Sequence, residues 1–354
     1  MKNIIISIFL LLTIGCIPEK YSVSPDGRIA FPKKKSVYVT DKDVSFLKEI
    51  VSNEAKEVNW VEWSPDGSKL LYVSDAFYII DRDGKNKRKI ATLEEPVFLT
   101  EWSPDMRYIS YAGESKTNKD EGGLYLYNII TEESTALVKN PVVLHKWSPD
   151  SRKIFGMRMI KHLDKTFKSG HEIMFGEIIT VDVATGQIIP LAPYCSGGLT
   201  VIDYHPASQS IIFSSLDLFL PGNPITPDEE MDYSIYAVNI TNNRISKITK
   251  DEPIMYFCLS PKKEKILYVV IDMLHELLHG ELYVMDIGGR NKVRLGGNIE
   301  SFVPFWVSED IVGYQYWFGE GDARKQTVWL HDLKTGKKTN FTELVDLALK
   351  NKNK

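Results

Sequence analysis

Short apolar stretches in which apolar and polar residues alternate with a period of two recur along the chain after residue 20. In one of them, Val61-Glu62-Trp63 leads into a polar turn and Leu70 to Val73 leads out of it. Phe77 to Asp81 and Lys87 to Ala91 follow, again joined by a polar turn. Alternation of this kind predicts β-strands that are buried on at least one side. Each such stretch therefore predicts four short strands, labelled a to d in chain order.

The turn between strands a and b is the most repeated feature of the sequence. Trp63-Ser64-Pro65-Asp66-Gly67 recurs as Trp102 to Asp105 and Trp147 to Asp150, with an earlier copy at Ser24 to Gly27 and a shortened one at Ser260-Pro261. Proline presets φ at the second turn position, aspartate bonds to nearby backbone, and glycine accepts a positive φ. The turn prolines, from Pro25 to Pro261, are about 40 to 57 residues apart.

This spacing, with four strands in each repeat, is typical of a β-propeller blade. The four-strand unit can be placed seven times along the chain, and a single blade cannot bury both of its faces. The sequence therefore predicts an all-β, seven-bladed propeller of four-stranded blades, with six blades as the alternative if the first unit is not a blade. We expect one propeller domain over residues 17–345 and a disordered, Lys-rich tail over residues 346–354.

The Trp-Ser-Pro-Asp-Gly turn, followed by an apolar strand and a strand with Tyr-x-x-Asp, resembles the WD-like propeller repeats of the TolB family. Similar repeats occur in the propeller domains of the prolyl oligopeptidase family. The resemblance covers nearly the whole chain after residue 20 and implies a β-propeller fold. It is poor at implying a function, because one fold carries many functions. Prolyl oligopeptidase chemistry is not expected, since the sequence has no Gly-x-Ser-x-Gly nucleophile elbow.

The overall composition is that of an ordinary globular protein. Hydrophobic residues make up 43% of the chain and charged residues 25%. The formal net charge is −4, and no basic patch interleaved with aromatic residues occurs. We therefore expect no nucleic-acid partner.

The first sixteen residues differ from everything that follows. Lys2 precedes an apolar run from Ile4 to Ile14, which is too short to span a bilayer and ends at Gly15-Cys16. This pattern is typical of a secretory signal, and its end resembles the lipobox of bacterial lipoproteins, which implies lipidation of Cys16. We expect a signal peptide over residues 1–16 and a lipid-anchored protein of the cell envelope, on the periplasmic side of the outer membrane. An ordinary cleaved signal is the alternative.

The connections between strands b and c are the expected binding region. The a–b and c–d turns are short and alike, whereas five b–c connections are long, and long loops on one face of a rigid scaffold usually carry binding. The long loops are predicted at Gly113 to Gly123, Arg158 to Gly176, Leu216 to Tyr233, Met273 to Gly280 and Trp317 to Gln326. These loops contain histidines, carboxylates and aromatic rings. The candidate binding residues are His162, His171, Glu172, Phe219, Asp228, Glu229, His275, Glu276, His279, Trp317 and Phe318. The alternative is a polar surface of solvated side chains that binds nothing.

The pentapeptide from His275 to His279 matches the H-E-x-x-H pattern of zinc peptidases, in which both histidines project from one face of a helix. Here it falls between two predicted strands of one blade, with room for about one helical turn. We therefore expect no peptidase site and predict no catalytic residue. If a divalent metal binds at all, its candidate ligands are His275, His279 and His171; the alternative is that the pattern arose by chance.

The sequence favours a non-enzymatic function. The expected protein is a membrane-anchored, TolB-like propeller lipoprotein that binds or scaffolds a partner through the face carrying the b–c loops. The expected partner is a cell-envelope protein or another membrane-proximal molecule, and no cofactor is expected. The alternative is a metal-dependent propeller enzyme, a lyase or hydrolase that acts on a carbohydrate-like substrate with the histidine and glutamate residues of these loops.

Overall fold

The computed structural model describes residues 20–58, 60–92, 100–113, 123–139, 142–166, 172–196, 201–216, 233–249, 252, 254–272, 279–299, 304–318 and 325–352. Within these ranges the strands form seven four-stranded antiparallel sheets, and the four strands of each sheet are consecutive along the chain. The fold is an all-β, seven-bladed β-propeller, as predicted. The six-bladed alternative is wrong, because the first unit forms a complete sheet of its own.

Blades 1, 2, 6 and 7 belong to one compact unit, residues 17–93 and 257–354. Blade 1 contains β1 (Ser22–Val23), β2 (Ile29–Lys33), β3 (Ser36–Thr40) and β4 (Leu47–Val51). Blade 2 contains β5 (Trp60–Trp63), β6 (Lys69–Val73), β7 (Ala76–Asp81) and β8 (Arg88–Thr92). Blades 3, 4 and 5 belong to the second unit, residues 94–256. Blade 3 contains β9 (Thr100–Trp102), β10 (Tyr108–Gly113), β11 (Gly123–Asn128) and β12 (Ser134–Val138).

The remaining blades follow the same order of strands. Blade 4 contains β13 (Val142–Trp147), β14 (Lys153–Thr166), β15 (Glu172–Asp182) and β16 (Ile188–Ser196). Blade 5 contains β17 (Ile202–His205), β18 (Ser210–Leu216), β19 (Tyr233–Asn239) and β20 (Ile245–Lys247). Blade 6 contains β21 (Ile254–Leu259), within which the unit boundary falls, β22 (Lys265–Asp272), β23 (His279–Asp286) and β24 (Val293–Ile299). Blade 7 contains β25 (Phe305–Ser308), β26 (Ile311–Phe318), β27 (Lys325–Asp332) and β28 (Lys338–Asn340), and the helix α1 (Phe341–Lys352) follows it.

The repeated Ser-Pro-Asp sequence builds the a–b turns with its own side chains. The Ser64 hydroxyl donates to Asp66 Oδ1 at 2.7 Å and accepts the backbone N–H of Lys69 at 2.9 Å. The same bond to the aspartate two residues later is made by Ser24, Ser103 and Ser148. Because these polar groups satisfy one another, each turn fixes the pairing of strands a and b locally. The repetition of the motif therefore reflects folding.

A pair of aromatic residues occupies opposite positions on strands b and c in six blades. In blade 2, Tyr72 lies opposite Tyr78, and their ring centroids are 5.2 Å apart. Such pairs contribute about 0.5 to 1.5 kcal/mol beyond the burial of their area. Blade 4 has Gly156 opposite Ile179 at the equivalent place. The other pairs are Phe31–Tyr38, Tyr111–Tyr125, Phe213–Tyr236, Tyr268–Tyr283 and Tyr314–Trp329.

The prediction of a disordered tail is wrong for residues 346–352, which belong to α1. Phe341 and Val345 lie one turn apart on the same face of this helix, and each is at most 2% exposed. They pack into a core cluster that blades 1 and 7 share and that includes Phe31. The ammonium of Lys33 is 2.7 Å from the carboxylate of Asp346. The helix therefore connects blade 7 to blade 1. No strand of the described residues makes such a connection, because the four strands of each sheet are consecutive along the chain.

Candidate functional site

The a–b ends of the blades use their acidic side chains for structure. Hydrogen bonds from the Ser24 hydroxyl and from Arg82 hold the pKa of Asp26 below its ordinary value. In blade 4, the hydroxyl of Ser148 is the largest of the contacts that lower the pKa of Asp150. Carboxylates that already accept several hydrogen bonds are stable acceptors and poor proton donors or bases. These turns are therefore not the candidate site.

The b–c connections differ strongly from blade to blade. Blades 1 and 2 are closed by two-residue turns, at 34–35 and 74–75. In blades 3 to 7 the connections include residues 114–122, 167–171, 217–232, 273–278 and 319–324, which lie outside the described residues. A two-residue turn is thus enough to connect strands b and c in blades 1 and 2, and the other five blades have longer connections. The b–c ends of blades 3 to 5 in one unit, and those of blades 6 and 7 in the other, are the candidate binding regions.

Blade 4 has the longest hairpin among the described strands. β14 has 14 residues and β15 has 11, whereas β6 and β7 of blade 2 have 5 and 6. The prediction of a loop from Arg158 to Gly176 is therefore wrong for residues 158–166 and 172–176, which pair as far as Thr166 opposite Glu172. β16, with 9 residues, continues the sheet along β15. Blade 4 thus extends beyond the length of its neighbours at the b–c end.

Two contacts support the base of this hairpin. An ion pair joins Arg158 of β14 to Glu177 of β15. The ring of Tyr194, from β16, lies so close to Gly176 that a Cβ atom at this position would overlap it. Further out, the sequence from 161 to 166 is polar at most positions, with no alternation of apolar residues. Without this alternation, hydrophobic periodicity could not reveal that β14 continues through these residues.

The predicted binding residues fall into two groups. Those with a described backbone position lie at the b–c ends of strands: His162 and Glu172 in blade 4, His279 in blade 6, and Trp317 and Phe318 in blade 7. Those that lie outside the described residues, as the predicted lipidation site Cys16 also does, are His171, Phe219, Asp228, Glu229, His275 and Glu276. Strand register places His162 opposite Met174. It places Trp317 opposite Gln326 in blade 7.

In blade 6, strand register adds an acidic residue that the sequence analysis missed. Asp272, the last residue of β22, is the partner of His279, the first residue of β23. Residues at opposite positions of an antiparallel pair have Cβ atoms about 4.5 to 5.5 Å apart. Asp272 and His279 therefore flank the same end of the blade. Asp272 could have been identified from the sequence, because Asp272 and His279 are equally far from the middle of the predicted hairpin.

The described residues show neither a cluster of metal ligands nor a membrane-spanning helix. Within these residues, no group of three His, Cys, Asp or Glu side chains is arranged to hold a metal ion. In the same part of the chain, no helix has both the length and the apolar character needed to cross a membrane. The candidate ligands His275 and His171 lie outside the described ranges, so a metal site that includes them stays a prediction.

A buried Ser–His pair between blades 3 and 4 was not predicted. His145 Nε2 is 2.8 Å from the hydroxyl oxygen of Ser110, which also accepts the indole N–H of Trp147 at 2.7 Å. Burial lowers the pKa of His145 to about 4. Ser110 is completely buried, so its hydroxyl cannot meet a substrate. The pair is a polar element of the core, and a catalytic nucleophile would need access that it lacks.

Comparison with known proteins identifies the fold. No family model matches the sequence, and no curated protein matches it. Among solved structures, the tricorn protease is similar over 91% of this chain, with a TM-score of 0.64 and 13% identity. TolB from Acinetobacter baumannii covers 88% of the chain, with a TM-score of 0.50 and 15% identity. Oligogalacturonate lyase from Vibrio parahaemolyticus covers 78%, with a TM-score of 0.57 and 13% identity.

The chain is a β-propeller. The aligned region makes up 34% of the tricorn protease chain, so this propeller spans about a third of that protein. It makes up 75% of the TolB chain and 75% of the lyase chain. Sequence identities of this size establish a shared fold and leave activity, substrate and partner open. The function must therefore be argued from the residues of this chain.

Proposed function

We propose that this protein is a non-enzymatic binding or scaffold propeller of the cell envelope, and that its partner docks on the b–c ends of the blades. The observation that supports this proposal is the hairpin of blade 4. Its strand β14 is nine residues longer than β6, and its strand β15 is five residues longer than β7. Because β15 limits the paired length, the hairpin extends roughly 17 Å further, at about 3.3 Å per residue.

The two ends of each blade have different chemistry, which favours this choice of end. At the a–b end, short turns satisfy their own polar groups, as Ser64 and Asp66 do. At the b–c end of blade 4, the additional length of β14 carries the polar or charged residues Lys161, His162, Asp164 and Lys165. A paired hairpin is more rigid than a loop of equal length, so it can present side chains to a partner at little entropic cost.

Site-directed photo-crosslinking in cells tests the choice of end. A photoreactive amino acid at His162 or Trp317, on the b–c ends of blades 4 and 7, is expected to give a discrete crosslinked adduct. The same amino acid at Arg107 or Arg152, exposed positions in a–b turns, is expected to give none. Equal adducts from both sets of positions, or none from His162 and Trp317, would contradict the proposal.

A shortened hairpin provides the second test. Replacing residues 159–176 by Asn-Gly joins Arg158 to Glu177, which are already register partners and an ion pair, through a turn that suits two-residue hairpins. The expected product folds, with a cooperative unfolding transition, and loses the adduct formed from a probe at Tyr233, at the b–c end of blade 5 in the same compact unit. A folded, shortened protein that keeps this adduct at full yield would show that the hairpin is dispensable for binding.

Attachment to the membrane through Cys16 is part of the same proposal. It is supported by the sequence pattern that precedes residue 17, and residues 1–19 lie outside the described part of the chain. Metabolic labelling with an alkyne fatty acid should modify the wild-type protein and leave the Cys16→Ser variant unlabelled. Fractionation should move the variant from the outer membrane to the soluble periplasm. Labelling that persists in the variant would refute lipidation at this residue.

A metal-dependent enzyme acting on a carbohydrate-like substrate is the second candidate, and one observation in blade 6 favours it. The register of β22 and β23 sets Asp272 opposite His279, at the end where His275 and Glu276 follow in sequence. Mass-spectrometric metal analysis of wild-type protein and of a His275→Ala, His279→Ala double variant tests it. Stoichiometric metal that the variant loses would favour the enzyme, and metal-free wild-type protein with equal stability in the variant would exclude this site.

A further inference from the structure

A pocket lies where α1 meets blades 1 and 7, within one compact unit of the chain. Its volume is about 240 Å³. Part of its lining is apolar and largely aromatic, formed by Tyr21, Phe31, Val328, Phe341 and Val345, and the rest is formed by Pro32, Lys33, Lys34 and Thr342. Phe31, Val328, Phe341 and Val345 are almost fully buried, so this pocket reaches into the core. It is separate from the b–c ends of blades 3 to 7 to which the proposed function refers.

The pocket is held open by rings and by the attachment of the helix. Tyr21 stacks on Phe31 with ring centroids 5.6 Å apart, and Phe341 meets Phe31 edge-on at 5.8 Å. The Lys33–Asp346 ion pair attaches the middle of the helix to blade 1. Packed rings in these orientations cannot collapse into the space without losing their own contacts. For comparison, an apolar cavity of about 150 Å³ is known to bind benzene.

A positive charge lies at the same pocket. Lys33 and Lys34 both line it, and the charge of Lys33 is offset by Asp346. Lys34 is exposed, and it occupies the b–c turn of blade 1 with a positive φ of 57°. Its carbonyl oxygen accepts the N–H of Val58 at 2.7 Å, which fixes the backbone of the turn. Among the described residues that line it, the site therefore combines an apolar part with an exposed lysine, Lys34.

We propose that this pocket binds a short acyl chain that ends in an anionic group, with the chain between the aromatic walls and the anion beside Lys34. The apolar lining excludes sugars and other fully polar ligands, whose hydroxyl groups would lose their hydrogen bonds there. The lysine excludes cationic amphiphiles. A medium-chain fatty acid and a short-chain anionic lipid share the required chemistry. This inference does not depend on the partner proposed for the b–c ends.

A chain-length series is the main test. The full chain carrying Cys16→Ser, which needs no detergent, is titrated with hexanoate, octanoate, decanoate and dodecanoate by calorimetry. We expect saturable binding of one ligand, with a Kd that falls about fourfold for each added methylene and then stops falling when the pocket is full. A series that tightens without limit indicates adsorption to the surface. That outcome, or the absence of saturation, would overturn the proposal.

Variants at the opening test the role of the charge. Lys34→Gln should weaken decanoate binding about tenfold and leave the binding of decanol unchanged, because only the carboxylate meets the lysine. Lys350→Gln removes an equal charge at an exposed position of α1 and should change the binding of neither decanoate nor decanol. Equal effects of the two variants on decanoate would overturn the assignment of Lys34. Both positions are on the surface, so neither change should prevent folding.

A variant that fills the pocket tests whether the acyl chain of the ligand binds there. Val345→Phe should abolish decanoate binding in a protein whose melting curve shows that it is folded, and unchanged binding would place the chain elsewhere. A decanoyl lysophosphatidylglycerol separates the two sources of the ligand. Tighter binding than decanoate would assign the site to a membrane lipid, and weaker binding would assign it to a free fatty acid.

Discussion

The buried histidine of blade 4 makes the stability of this protein depend on pH between about 4 and 6.5. His145 is 3% exposed and hydrogen-bonded to Ser110, and desolvation lowers its pKa from 6.5 to about 4. The folded state therefore holds a neutral imidazole, whereas the unfolded chain binds a proton below pH 6.5. Because the unfolded state binds more protons between these two values, stability falls as the pH falls from 6.5 toward 4.

The size of the effect follows from the shift. A difference of 6.5 to about 4 corresponds to about 3 kcal/mol once the pH lies below both values. Between pH 7 and about pH 4.5, the loss from this one group is about 2 kcal/mol. His145→Gln keeps a hydrogen-bonding group near Ser110 and cannot titrate. The variant should be less stable than the wild type at pH 7 and should lose about 2 kcal/mol less on acidification.

Urea unfolding followed by tryptophan fluorescence at both pH values measures this difference. Carboxylates, and His331 with its lowered pKa, are present in both proteins, so their contributions cancel. His205→Gln, at the partly buried last residue of β17, is the control and should show the same loss of unfolding free energy on acidification as the wild type. Equal losses of unfolding free energy in the wild type and in His145→Gln would refute the neutral, buried imidazole. A larger loss in the variant would refute it as well.

Three further changes test the packing of the blades. Phe341→Ala should lower the unfolding free energy by about 3 to 5 kcal/mol, because the ring is 1% exposed, whereas Leu347→Ala, at a half-exposed site on the same helix, should change it by less than about 0.5 kcal/mol. Gly313→Ala should cost about 1 to 3 kcal/mol, since a Cβ would overlap a phenylalanine ring, and Gly288→Ala, with open space around it, should cost little. Ser64→Ala should cost about 1 to 2 kcal/mol, because the turn loses two hydrogen bonds. Denaturant midpoints and slopes measure all of them.

Each of these predictions has an outcome that contradicts it. Equal effects of Phe341→Ala and Leu347→Ala would mean that the helix is not packed on the blades. An unchanged unfolding free energy in Gly313→Ala would mean that the neighbouring phenylalanine ring moves away at little cost. An unchanged midpoint in Ser64→Ala would mean that the turn forms without its side-chain bonds, and the explanation of the repeat given above would fail.

The blades could be predicted from the sequence because the features that specify them are local. Ser64, Asp66 and Lys69 bond within one turn, and the alternating residues on either side bury one strand face. The helix could not be predicted in this way. Phe341 and Val345 are two apolar residues in a Lys-rich end segment, and only the groove between blades 1 and 7 makes their spacing meaningful.

The candidate site shows the same division. Residues of types suited to binding a partner or a metal could be selected from the sequence, as the candidates His162 and His279 were. The positions opposite them could not, because register depends on the whole hairpin. Asp272 became a candidate only when β22 and β23 were paired, and the long strands of blade 4 appeared only when β14, β15 and β16 were seen to share one sheet.

The attachment of α1 to blade 1 has a consequence for the order in which the protein folds. Lys33 and Asp346, which form the ion pair between them, are 313 residues apart in sequence. Because so many residues separate them, the packing of α1 on blade 1 cannot form until nearly the whole chain is available. Before then the rings of Tyr21 and Phe31 have no Phe341 to pack against. We therefore expect the joining of blades 1 and 7 by the helix to be a late step of folding, after each blade has formed its own local contacts.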